Sequence, residues 1–194
     1  MGIVAVVISR LIYFALLAGL VAERISELWL SKRNARRALA RGGIEVGHGQ
    51  YRIMVVFHAL FVVACAVEAS LRTSYFPHSL SIVALIGEAG AQALRYWSVA
   101  VLGENWNTRV IVIPHTPPVT SGPYRYVRHP NYTAVAIEIV CVPLIRGAVI
   151  TAVAFSVLNA LLLGARIRLE EHALGEAYRR AFKELPRFIP SLVG

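Results

Sequence analysis

Aspartate is absent from this 194-residue chain, so all 11 of its acidic residues are glutamate. That excludes every motif built on Asp, among them EF-hand calcium loops and the catalytic loop of protein kinases. Charge of either sign is scarce, at 16% of residues against about a quarter in soluble domains. The 2 cysteines, Cys65 and Cys141, lie inside apolar runs without metal-ligand spacing. A disulfide scaffold and a zinc finger are therefore excluded, and no metal is expected. What remains is hydrophobic: 57% of the chain, with a mean hydropathy of +0.59. The 20 Lys and Arg residues leave a net charge of +9. In a soluble protein that excess would point to nucleic acid. Here the basic residues sit between apolar runs, which marks the cytoplasmic side of a membrane instead, so no nucleic-acid partner is expected.

A helix needs about 20 apolar residues to cross a bilayer. Residues 3–22, interrupted by Arg10, form the first candidate and read as a retained span rather than a signal peptide. Residues 53–71 carry His58 and Glu68, which lie ten apart and off a common face; hydrogen bonding in the core is the reading for both. Residues 80–102 carry Glu88, Gln92 and Arg95 at i, i+4 and i+7, one helix face that either borders a pocket or pairs internally. Residues 132–165 are too long for one crossing and short of the roughly 40 needed for two. Charge decides between them. Arg24, Lys32, Arg33, Arg36, Arg37, Arg41 and Arg52 precede the second span, and Arg166, Arg168, Arg179, Arg180, Lys183 and Arg187 follow the last. A hairpin turning at residues 143–147 puts both basic segments on the cytoplasmic side. The expected fold is thus all-α: one membrane-embedded domain over residues 1–194, with about five transmembrane helices and a C-terminal helical hairpin. Residues 1–102 hold three spans, and residues 103–194 hold a loop, the hairpin and a cytoplasmic tail. The N-terminus is outside and the C-terminus inside. Residues 33–49 read as a short amphipathic piece and a glycine-rich loop, residues 170–183 as helical, and Pro186 and Pro190 as terminators.

The chemistry concentrates in residues 103–132, GENWNTRVIVIPHTPPVTSGPYRYVRHPNY. Such a loop, rigid with proline and rich in polar side chains, is more often functional than connecting. The same composition suits an interfacial anchor, with Tyr124, Tyr126 and Tyr132 as a belt and Arg125 and Arg128 snorkelling. Further on, Arg166 and Glu170 share a helix face four residues apart, followed by Glu171 and His172. The base comes first, the weaker order for a simple helical ion pair. An acid and a base together at a membrane boundary also suit a zwitterionic ligand.

Taken in order, His115-Thr116, Val119, Gly122-Pro123-Tyr124, Arg128-His129-Pro130-Asn131-Tyr132 and Arg166 to Glu171 resemble the signature of the isoprenylcysteine carboxyl methyltransferase family. The likeness covers about the last ninety residues. It implies a membrane-embedded methyltransferase that uses S-adenosylmethionine without a Rossmann fold, its cofactor pocket facing the cytoplasm and its lipophilic acceptor arriving between helices. Carried over by position, His115, Thr116, Pro117, Pro118, Val119, Tyr124, His129, Pro130, Asn131, Tyr132 and Glu170 would bind the cofactor. Arg166 would face the acceptor as catalytic and substrate-binding residue. Glu170 suits the cofactor ammonium, His129 or nearby backbone N–H groups its carboxylate, and Tyr132 and Trp106 offer aromatic faces.

Two departures from the family pattern stand out. One extra residue between His115 and Val119 leaves either His115 or Thr116 at the family's histidine position. About four residues are missing before Leu174-Gly175-Glu176-Ala177-Tyr178, so the closing segment differs. The reaction expected is in-line methyl transfer to oxygen, accelerated mainly by positioning. A prenylated cysteine carboxylate would need no base, whereas a long-chain polyketide phenol or pyrone would benefit from His129 or Glu170. Phospholipid N-methylation and an NADPH-dependent, sterol-reductase-like reaction are the alternatives. The expected location is a membrane, the plasma membrane if the source is prokaryotic, and the expected partners are membrane lipid and the acceptor.

Overall fold

The computed structural model describes residues 3–72 and 76–189. In chain order these form α1 (Ile3–Ala40), β1 (Ile44–Val46), α2 (His48–Leu71), α3 (His78–Leu102), β2 (Val110–Val112), α4 (Pro130–Leu144) and α5 (Val149–Ala181). The first helix does not stop at the membrane boundary. Residues 23–40 are dominated by Arg, Ala, Leu, Glu and Lys, all strong helix formers, so α1 continues to Ala40. This corrects the short piece and loop expected over residues 33–49. Gly42, at φ 82°, turns the chain out of α1, and the Gly43 amide donates back to the Ala38 carbonyl at 2.9 Å. β1 then pairs antiparallel with β2, Ile44 opposite Val112 and Val46 opposite Val110. This short ribbon is the one departure from an all-α fold among the described residues.

The hairpin turns where proline, arginine and glycine cluster: α4 ends at Leu144, Gly147 adopts φ 71°, and α5 starts at Val149. Glu68 of α2 caps α5, accepting from the amides of Ile150 at 3.1 Å and Thr151 at 2.7 Å and from the Thr151 hydroxyl at 2.7 Å. A carboxylate there satisfies orphan amides and complements the positive helix end. His58 contacts the Met54 carbonyl at 2.8 Å through Nδ1, within its own helix. Both residues are internally satisfied, as expected. Pro186 follows the end of α5; Pro190 lies outside the described residues.

Among the described residues, two helices, α2 and α5, are long and apolar enough to cross a membrane. α4 is apolar but has 15 residues, roughly 22 Å of helix. Tyr13, Leu17 and Leu20 of α1, Phe57, Phe61 and Cys65 of α2, and Val135, Ile139 and Val142 of α4 make one buried core. α3 packs on α4 through small residues: a Cβ on Gly87 would stand 2.7 Å from Cys141 Sγ. The outward faces keep large apolar side chains exposed, among them Val56, Leu60 and Val63 of α2 and Val153, Val157 and Leu161 of α5. Faces of that kind suit lipid rather than water.

Inside the bundle, the Glu88–Gln92–Arg95 face pairs internally. Arg95 donates to Glu138 of α4 at 2.6 Å, and Arg24 of α1 reaches the same oxygen at 3.3 Å. Gln92 donates to Glu88 at 2.7 Å, and Arg24 also donates to Glu27 at 2.6 Å. Three helices are thereby tied through one carboxylate.

Candidate active site

Pro130 opens α4 with its φ already helical and no amide to leave unpaired. His129, just before it, lies outside the helix at φ −129° and ψ 60°, and the amides of Arg128 and His129 are used by another segment. The Arg128 amide donates to the Pro186 carbonyl at 2.9 Å, and the His129 amide to the Arg187 carbonyl at 3.1 Å. Arg128 adds a bond from Nε to the Leu185 carbonyl at 2.6 Å. The segment after α5 is thus strapped across the entrance to α4. It reaches that place because Gly175, at φ 71° and ψ −155°, breaks α5 and redirects its last turns. Tyr178 and Phe182 then pack with Tyr124 in a small apolar cluster.

Behind the strap, polar side chains converge. His129 is buried and places Nε2 3.1 Å from Glu171 and 3.4 Å from the Tyr178 hydroxyl. Arg187 grips the same Glu171 carboxylate with two bonds, at 2.6 and 3.1 Å. Burial pushes the Glu171 carboxyl up, but the hydrogen bonds from Arg187 and His129 outweigh it and hold the group below the usual carboxylate range. The same bond pushes Arg187 up, while burial and then Glu170 push the Tyr178 phenol up. One turn into α4, the Tyr132 ring stacks on His129 with centroids 5.3 Å apart. Its hydroxyl donates to Glu170 and accepts from Arg166 Nε at 3.2 Å. Arg166 Nη2 donates to the Thr108 carbonyl at 2.8 Å, in the loop before β2. Two atoms here are buried without a hydrogen-bond partner among the described residues, Arg166 Nη1 and Asn131 Oδ1.

The model of the isoprenylcysteine carboxyl methyltransferase (ICMT) family matches residues 82–176. The chain is 37% identical over 166 residues to an uncharacterized protein of Bacillus subtilis (strain 168), YpbQ, covering 84% of this chain and 97% of that one. It is 28% identical over 165 residues to an uncharacterized protein of Haemophilus influenzae (strain ATCC 51907 / DSM 11121 / KW20 / Rd), covering 84% and 95%. The chain belongs to the ICMT family. ICMT proteins are membrane methyltransferases, and the matched region contains α4, most of α3 and the part of α5 that carries Arg166, Glu170 and Glu171.

Within that ICMT region, the structure brings together His129, Tyr132, Arg166 and Glu170, with Pro130 and Asn131 on the same turn and Tyr124 behind Tyr178. Arg166 and Glu170 meet through the Tyr132 hydroxyl rather than directly. His115 and Thr116 belong to a separate turn, with His115 exposed at φ 62° and the Thr116 amide donating to the Ile113 carbonyl at 3.3 Å, and Pro117, Pro118 and Val119 follow it as irregular chain. Among the described residues no hydrogen bond joins this turn to the His129 group. Trp106 is buried, 3% exposed, with Asn34 donating to its carbonyl at 2.8 Å, so its ring offers no open face. Sequence reasoning missed Tyr178 and Arg187, and gave Glu171 no role of its own. The adjacent pair Glu170-Glu171 was the available signal: neighbouring carboxylates on a helix point about 100° apart and need different partners.

Proposed function

We propose that this protein is an integral membrane, S-adenosylmethionine-dependent O-methyltransferase acting on a lipophilic acceptor, a prenylated cysteine carboxylate or a long-chain phenol or pyrone. The reading includes five spans and a site open to the cytoplasm, where the cofactor is made. The observation that carries it is Tyr132 between Arg166 and Glu170, with Arg166 Nη1 and Asn131 Oδ1 left unpaired beside them. That donor set fits the cofactor. Glu170 gives one oxygen to Tyr132 and keeps the other for an ammonium. Asn131 Oδ1 accepts from an amine or a hydroxyl, and the 115–119 segment and Tyr124 would complete the pocket. When bound, the cofactor supplies a methyl already activated on a sulfonium.

The protein's own part is positioning and charge. Arg166 is fixed by two bonds and presents Nη1 to an acceptor oxygen. Glu171 can only accept, so it draws the hydrogen of His129 to Nε2. Neutral His129 is then left with its lone pair on Nδ1, suited to take the proton of a phenol; a carboxylate acceptor needs no such step. The Arg128–Pro186 and His129–Arg187 bonds close the strap and keep water from the polar cluster.

The test is calorimetric titration of the detergent-purified protein with S-adenosylmethionine and with its demethylated product, with NADPH as control. Binding of the first pair alone is expected. NADPH binding alone would make the protein a reductase, and absence of all binding by folded protein would end the reading. Methyl-labelled cofactor with lipid extracts then identifies the acceptor; an ethanolamine lipid as sole product would move the chemistry to nitrogen.

A further inference from the structure

The cytoplasmic half of α1 lies before the family match, yet it carries two polar residues with almost no exposure, Ser31 at 2% and Asn34 at 0%. A buried polar side chain seeks partners; Ser31 Oγ and Asn34 Nδ2 find theirs in the loop between α3 and β2, while Asn34 Oδ1 has none among the described residues. Asn34 Nδ2 donates to the carbonyls of Gly103 at 3.1 Å and Trp106 at 2.8 Å. Ser31 Oγ donates to Asn107 Oδ1 at 2.7 Å, stands 2.7 Å from Thr108 Oγ1, and accepts from the Thr108 amide at 3.1 Å. A hydroxyl has one hydrogen and two lone pairs. With the hydrogen on Asn107, both lone pairs go to Thr108, so the capacity of Ser31 is filled by two neighbouring residues. Asn107 returns a bond to the Ser31 carbonyl at 3.2 Å and accepts from the Arg109 amide at 3.0 Å. Thr108 is thus held by its amide and its hydroxyl, and its carbonyl is the group that receives Arg166 Nη2.

We propose that Ser31 is a positioning residue for the transfer reaction: through Thr108 it sets the orientation of Arg166 and so the seating of the acceptor. This rests on the role proposed for Arg166. Arg166 has two anchors, the Tyr132 hydroxyl from α4 and the Thr108 carbonyl from the loop. Tyr132 alone leaves the guanidinium free to swing about Nε; the second anchor fixes which way Nη1 faces. The site is therefore assembled from both halves of the chain, and α1 contributes without touching a ligand.

The test uses Ser31→Ala and, should that variant fold poorly, the near-isosteric Thr108→Val, in full-length protein with 15N-labelled arginine. Hydrogen exchange at Arg166 Nη2, the nitrogen held by Thr108, assigned with Arg166→Lys, is expected to speed up about tenfold as that anchor loosens. In parallel, methyl incorporation is measured against increasing membrane lipid extract. The half-saturating extract should rise about fivefold to tenfold with cofactor affinity within about twofold, because one buried bond and not the cofactor site is lost. Adding Ser31→Ala to Arg166→Ala should cause no further loss, whereas a merely structural Ser31 would add its own. Unchanged Nη2 exchange overturns the proposal outright. Faster exchange with unaltered half-saturation also overturns it, while leaving the reading of Arg166 intact. If Arg166→Ala itself leaves half-saturation unchanged, that reading fails and the positioning role falls with it.

Discussion

The molecule holds two ionic clusters of similar make-up, and they differ in who supplies the partners. Around Glu138, every partner comes from a helix of the bundle, and the Arg95–Glu138 pair is 3% and 1% exposed. Around Glu171, His129 and Arg128 come from the residues just before α4, but Arg187 comes from the strap after α5 and is 51% exposed. The first cluster cannot open without separating helices. The second opens if the strap lifts. Burial makes an ion pair a clamp; an exposed partner makes it a latch.

The comparison breaks most sharply at Glu138. Glu138→Ala leaves Arg95 buried without its main counter-charge, which should destabilise the protein by about 3–5 kcal/mol. Thermal unfolding in detergent checks this, and a drop no larger than that of a surface variant would show the clamp to be idle. Next comes Glu170→Gln, which keeps the shape but removes the charge that the proposed function assigns to the cofactor ammonium. Loss of a charge-assisted bond of about 1.5–3 kcal/mol lowers S-adenosylmethionine affinity roughly 10- to 100-fold, with little change in unfolding temperature. Unaltered affinity would remove Glu170 from the site.

Neither region could be read whole from the sequence. The latch was legible only in part: His129 falls in the local motif at 128–132, but Glu171 was given no role and Arg187 lies in the strap, outside both 128–132 and 166–171. The clamp was half legible. Arg95 and Glu88 were visible as a polar face in an apolar run, but Glu138, the single acid in residues 132–165, was not singled out, although a lone charge in such a run always needs a partner. Pairs such as Arg24–Glu138 or Ser31–Thr108 join residues far apart in the chain, and spacing carries no information about them. The length of α1 was a failure of a different kind: basic residues were read as loop, although Arg and Lys extend helices well. The hairpin turn was legible because proline, arginine and glycine interrupt the apolar run together.

A smaller effect separates latch from clamp by pH. Glu171 is held below its ordinary value when folded, so its contribution is present above the unfolded carboxyl value and is lost as pH falls through the folded one. Hydrogen exchange of residues 182–189 should therefore be slow at neutral pH and quicken on acidification, ahead of global unfolding. Glu171→Gln should show the fast exchange already at neutral pH and lose that acid limb. An acid limb that survived the substitution would assign the strap's closure to another group.

The smallest effect tests whether exposure alone predicts strength. Arg37 and Glu104 form an ion pair between α1 and the turn after α3, one helical turn from Asn34 and bridging to the same loop. By distance it is among the closest ion pairs in the molecule. Its side chains, however, are 49% and 59% exposed, so water competes for both charges and two long side chains lose freedom in holding one geometry. Arg37→Ala is accordingly expected to change stability by less than about 1 kcal/mol, and less still in high salt. Asn34→Ala, at 0% exposure, takes the side-chain donor from the Trp106 carbonyl and one of two donors from the Gly103 carbonyl, and should cost about 1–3 kcal/mol. Unfolding of the two variants side by side checks the ranking. If Arg37→Ala proved the more damaging, closeness of contact rather than burial would decide which bonds hold this loop, and the distinction between clamp and latch would lose its physical basis.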